Sequence, residues 1–169
     1  MTTKSSIETT TVRTFAPGSH FDRDDQLLRL ILEAFEYQRG CVDPPSSSFA
    51  ETVDRLAVRR QAEWLVVADE ATSNDLAGCL FAELKPGECY LSRIAVAMAF
   101  RHRGLSSRMI EQASAIAREA GRAWLTLNVR LSLDDNHAIF RRLGFEVFAS
   151  HSHPGFAEPT YHRMRRPVV

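Results

Sequence analysis

"RIAVAMAFRHRGLSSRMIEQASAIAREAG", residues 93–121, sets an apolar run against a regular amphipathic pattern, with "RHRGLS" (Arg101–Ser106) wedged between them. Downstream, Leu105, Met109, Ile110, Ala113, Ile116, Ala117 and Ala120 draw one apolar helical face, and Gly121 stops it. Upstream, "CYLSRIAV" (Cys89–Val96) reads as a strand. A helix that starts directly after a strand offers free backbone N–H groups and the positive end of its dipole. Gly104 would let an anion approach that backbone, Ser106 and Ser107 add hydroxyl donors, and Arg101 and Arg103 add mobile charge. On its own the short R-x-x-G pattern reads more readily as a glycine-containing loop with exposed arginines, so its context has to decide.

That context is a regular alternation of elements. "KPGE" (Lys85–Glu88) is a turn that joins "LAGCLFAEL" (Leu76–Leu84) to the strand at Cys89, which makes the two a hairpin. Before them, "WLVVAD" (Trp64–Asp69) reads as a buried strand, and a short helix is expected to start near Phe49. Leu27, Leu28, Ile31, Leu32 and Phe35 recur at helical spacing after Asp24, with Gly40 as a stop, and "TVRTFAPG" (Thr11–Gly18) is a first strand closed by Pro-Gly. After Gly121 come a strand "AWLTLNV" (Ala123–Val129), a short helix "DDNHAIFRRLG" (Asp134–Gly144) and two closing strands, "FEVFAS" (Phe145–Ser150) and "PTYHRMRR" (Pro159–Arg166). Strand, helix, strand requires a right-handed crossover and parallel pairing of the strands on either side of the long helix.

The bulk properties agree with one domain, 1–169, whose first ten residues form a flexible N-terminus without the apolar stretch of a secretory signal. With 21 basic and 21 acidic residues the net charge is zero, which argues against a domain that coats nucleic acid or an anionic membrane. Scattered Arg101, Arg103, Arg108 and the C-terminal arginines are a weak basis for a nucleic-acid reading. The three cysteines, Cys41, Cys79 and Cys89, show no metal-ligand or redox spacing and read as reduced thiols of a cytoplasmic protein. No run reaches the ~18 apolar residues of a membrane helix.

The segment 93–121 resembles the cofactor-binding segment of the GNAT family of N-acetyltransferases, whose signature is [QR]-x-x-G-x-[GA] between the fourth strand and a long helix. Arg101, Gly104 and Ser106 take the signature positions, serine replacing the usual glycine or alanine. "VRLSLDDNHAIFRRLGF" (Val129–Phe145) is similar to the later motif of that family, and "TYHRMRRPV" to its last strand. The resemblance implies an α/β fold: a mixed, mostly antiparallel sheet of about seven strands, splayed between strands four and five, flanked by about four helices. It implies acetyl-CoA as co-substrate, with no metal. Ile94, Ala95 and Val96 would meet the pantetheine arm, Arg101, His102, Arg103, Gly104, Leu105, Ser106 and Ser107 would cradle the pyrophosphate, Phe140 would lie beside the pantetheine, and Arg142 would approach the nucleotide.

Two positions depart from that pattern. Phe140 stands where many relatives carry a tyrosine that protonates the departing thiolate, and Leu133 replaces a customary asparagine. Tyr161 and, less readily, the helix-start His137 are substitutes for the acid, and His137 is expected to be solvated. For the base, Tyr90 occupies the place of a glutamate found in some relatives, and period-two alternation puts Glu88, Tyr90 and Ser92 on one face. Glu88 could act directly or through water, though Glu88 and Glu83 both read as solvated beside the turn. The resemblance assigns substrate selection to "YQRGCVDPPSSSF" (Tyr37–Phe49) and "HSHPGFAEPT" (His151–Thr160), in which His151 and His153 lack the further ligands a metal would need. The expected activity is acetyl transfer to the primary amine of a small or amino-acid-like molecule; a homodimer is compatible with it. The alternative is a catalytically silent acyl-CoA-binding module.

Overall fold

The computed structural model describes residues 10–169. A flexible N-terminus over residues 1–10 therefore lies outside the described residues except for Thr10, which already belongs to a strand. Seven strands form one sheet: β1 (Thr10–Phe15), β2 (Trp64–Glu70), β3 (Leu76–Lys85), β4 (Glu88–Val96), β5 (Trp124–Arg130), β6 (Glu146–His151) and β7 (Tyr161–Pro167). Their order is β1-β2-β3-β4-β5-β7-β6, antiparallel at every junction except the parallel β4–β5 pair. The helices are α1 (Asp24–Phe35), α2 (Val53–Arg59), α3 (Leu105–Glu119) and α4 (Asp134–Arg142). This is the splayed α/β sheet that the sequence resemblance implies.

Two apolar layers explain the strand sequences. On one face α1 and α2 cover Leu65, Val67, Cys79 and Phe81; on the other, α3 and the apolar side of α4 cover Val66, Leu80, Leu91, Leu127, Val129 and Met164. β2 and β3 are thus buried on both faces, which is why "WLVVAD" and "LAGCLFA" run apolar without alternation. The second helix begins at Val53, not near Phe49. Residues Ser47–Ala50 form a single 3₁₀ turn, and the Thr52 hydroxyl caps α2 by accepting from the Arg55 N–H.

One extra residue in β4 opens the sheet. Phe81 lies opposite Ser92 and Cys79 opposite Ala95, so two steps along β3 correspond to three along β4. Arg93 takes up the difference with a left-handed backbone, φ +51°. Before the bulge Cys89 and Leu91 face α3; after it Ile94 and Val96 do, and Ala95 turns to the α1 side. An ion-paired network holds the bulge. The Arg93 guanidinium donates to Glu51 Oε1 (2.9 and 3.1 Å) and to the Ser47 hydroxyl (3.1 Å), while Arg59 donates to the same Glu51 oxygen (3.2 Å) and to the Ser92 hydroxyl (2.6 Å).

Candidate active site

β4 and β5 pair only through Glu88–Trp124, Cys89–Leu125 and Tyr90–Thr126. Beyond Tyr90 the strands part, and the gap widens into a cleft of about 920 Å³ that runs to the start of α3. That volume suits a small-molecule site.

On the α3 side, the chain leaves β4 through a 3₁₀ turn at Met98–Phe100 and reaches the helix through two left-handed residues, His102 (φ +62°) and Gly104 (φ +73°). Gly104 is the N-cap position of α3 and contributes no capping side chain, so the first-turn N–H groups keep their donors for another acceptor. A Cβ at Gly104 would meet nothing within 4 Å, so the space above this turn is open. Ser106 and Ser107 sit in the first turn and line the cleft with Arg101, His102, Gly104 and Leu105.

The arginines differ from expectation. Arg101 is not a free cation: its Nε donates to the Val96 carbonyl at 3.2 Å, folding the side chain back along the end of β4. Arg103 does not line the cleft and lies over the Phe100 ring, 5.6 Å from its centre. Arg108 donates to the hydroxyl and carbonyl of Thr10, which ties α3 to β1. Ile94, Ala95, Val96, Phe140 and Arg142 all line the same cleft. Phe140 packs edge-on against Phe145, 5.9 Å between ring centres, and offers no proton.

The catalytic candidates separate. Tyr90 and Tyr161 line the cleft; Glu88 does not. Glu88 stands at the closed end of the β4–β5 pair and takes both of its bonds from one nitrogen of Arg163, at 2.8 and 3.1 Å, so it is neither solvated nor positioned as a base. Glu83 pairs with Lys85 outside the cleft. The Tyr90 phenol accepts from the Asn128 amide at 3.3 Å, and burial pushes its pKa up although Arg93 and Arg59 pull the other way. His137 is buried rather than solvated, because its ring lies under α4 between the Leu133 carbonyl (2.9 Å) and His162 Nδ1 (3.0 Å).

Three cleft residues escaped the sequence reading. His153 lines the cleft, its Nδ1 bonded to the Thr160 hydroxyl and its ring edge-on to Tyr161 at 5.0 Å. Burial, then the Arg130 charge, lower the His153 pKa and favour the neutral imidazole. Asn128 and Arg130 project from β5 on the face opposite Leu127 and Val129, a two-residue alternation that was present in the sequence but carried no motif. Around them the chain between α1 and α2 is stitched to the β5–α4 connection. Arg130 donates to the Pro45 carbonyl (3.3 Å), Ser132 to the Cys41 carbonyl (3.4 Å) and Asn136 to the Tyr37 hydroxyl (2.8 Å).

Among the described residues no cysteine lines the cleft, and burial pushes the thiols of Cys79 and Cys89 up to about 12. No group of three or more His, Cys, Asp or Glu among the described residues could hold a metal ion, and no helix is long and apolar enough to cross a membrane.

The sequence model of the acetyltransferase (GNAT) family matches residues 25–145. No curated protein matches the chain. Among solved structures, a GNAT-family protein of Desulfovibrio desulfuricans is similar at a TM-score of 0.73 and 21% identity, over 95% of this chain and 99% of that one. The PaiA N-acetyltransferase of Thermoplasma acidophilum, solved in complex with coenzyme A, is similar at a TM-score of 0.73 and 13% identity, over 94% and 98%. Nourseothricin acetyltransferase is similar at a TM-score of 0.58 and 24% identity, over 64% of this chain and 66% of its own. At these identities the likeness is one of fold.

Proposed function

The chain belongs to the acetyltransferase (GNAT) family, and from that premise we propose that it transfers an acetyl group from acetyl-CoA to the primary amine of a small molecule. One observation carries the reading: the uncapped, glycine-led turn of α3 opens into the same cleft that the parted β4 and β5 create. The residues suit the donor. First-turn amides of α3, with Ser106 and Ser107, would take the pyrophosphate, and Gly104 leaves room for it. Unpaired backbone at Ile94–Val96 would run beside the pantetheine, with Arg101 competing for the Val96 carbonyl.

The transfer is a direct displacement. The amine lone pair attacks the thioester carbonyl carbon, a C–N bond forms, the C–S bond breaks, and the electron pair leaves on sulfur. No cysteine stands in the cleft to carry the acetyl group on the way, which supports direct attack. The nitrogen then loses a proton, and neutral His153 is the base we assign for it. Tyr90, kept protonated by burial, is the acid we assign to the thiolate, with Tyr161 beside it. A thiol of pKa roughly 8.5 leaves readily, so this acid accelerates a step that can proceed without it.

Acetyl-CoA at ~100 times its dissociation constant should stabilise the protein by about 2.7 kcal/mol, a rise in melting temperature of roughly 5–10 °C for a chain of this size. A panel of primary amines should then release CoA. Tyr90→Phe and His153→Gln should keep the melting shift and lower kcat by about 10²-fold. No shift at millimolar acetyl-CoA would sink the donor site. A shift without turnover of any amine would leave an acyl-CoA-binding module in place of an enzyme.

A further inference from the structure

We infer that the amine accepted at this cleft also carries a carboxylate, and that Arg130 is the residue that holds it. The inference rests on the N-acetyltransferase reading and concerns the wall of the cleft opposite the α3 turn.

Charge on that wall is one-sided. Arg93 lines it, but its guanidinium is committed to Glu51 and Ser47. Arg130 lines it too, and its only hydrogen bond among the described residues is one to the Pro45 carbonyl at 3.3 Å. No carboxylate reaches ion-pair distance of Arg130 among the described residues, although the charge of Asp43 is felt there. Burial lowers the Arg130 pKa, so this guanidinium has lost water without gaining a partner. A half-desolvated, fork-shaped cation with open donors is the arrangement that a planar carboxylate satisfies in bidentate fashion.

Position adds to the argument. Arg130 ends β5 and ties the Pro44–Pro45 loop to the sheet, while its charge is felt at His153. A molecule whose carboxylate rested on Arg130 would lie between the two chain segments that wall the cleft, with its amine free to turn toward the gap between β4 and β5. Neutral donors and acceptors, Tyr37, Ser46 and Asn128, complete that wall. A polyamine or a lysine-rich peptide would meet the Arg130 charge with Asp135 as the sole cleft-lining acid among the described residues. The substrate class is an amino acid or another small amine bearing an acid group.

The test pairs each free amino acid with its own amide in a CoA-release assay. The wild type should prefer the acid by at least about tenfold in kcat/KM. Arg130→Met should lower kcat/KM for the acid by about 10- to 100-fold and for the amide by far less, with Arg130→Lys between them. With CoA present, the N-acetylated acid should raise the melting temperature of the wild type and not that of Arg130→Met. Equal loss for acid and amide, or a wild-type preference for the amide or for a polyamine, overturns the carboxylate assignment and leaves the transferase standing. Absence of the acetyl-CoA melting shift overturns both.

Discussion

Gly104 bears two demands at once, a left-handed backbone at φ +73° and open space above it. A side chain there meets no atom within 4 Å, so the penalty of Gly104→Ala is in the backbone, roughly 1–2 kcal/mol. The expected outcome is a melting temperature lower by several degrees and at least tenfold weaker acetyl-CoA binding by calorimetry; undiminished affinity would remove this turn from the donor site. Gly104 was legible in the sequence because strand, glycine and helix stand next to one another along the chain. Glu88 and His137 were not. Glu88 is claimed by Arg163 and His137 by His162, partners 75 and 25 residues away, and no local pattern announces either. Arg130 is a similar case, since what marks it is the absence of a partner.

Among the elements, β4 shows where local pattern fails. Its apolar residues identify a strand, but its left-handed Arg93 is fixed by Glu51, 42 residues earlier, in a stretch that reads only as loop. The Glu51 side chain is 4% exposed and serves two guanidinium groups. Glu51→Ala would leave both arginines without their shared carboxylate, and breaking a buried pair in this way costs about 3 kcal/mol or more. Thermal or urea unfolding should show that loss, and acetyl-CoA should bind more weakly as the bulge relaxes. A change below about 1 kcal/mol would show that the bulge is set by the strand alone. The start of α2 has the same origin, because the Pro/Ser loop continues into a capped turn before Thr52 begins the helix.

For the whole molecule, the order and type of the elements followed from patterns a few residues long, and the splay followed from resemblance. The acceptor wall needed three dimensions. Its titrating groups also set how stability depends on pH. His153 and His162 both have their pKa lowered from 6.5, by burial first and then by neighbouring charge, so the folded state favours their neutral forms. That stability is present above about 6.5 and lost as pH falls through it toward the folded values. Asp69 is different: burial acts to raise its pKa, but Arg13 and Arg23 win and hold it below 3.8, so its contribution is lost only in more acidic solution. Melting temperature followed from pH 8 to pH 3 should fall in two stages, and a flat profile between pH 7 and pH 5 would contradict the first. The three-rung joint between β4 and β5 reaches further. It divides the sheet into a four-stranded and a three-stranded part, bridged otherwise by α3, so amide hydrogens on the two sides can exchange with solvent as separate cooperative units. A donor threaded through the gap would splice those units, and the protein would gain its full mechanical unity only when loaded.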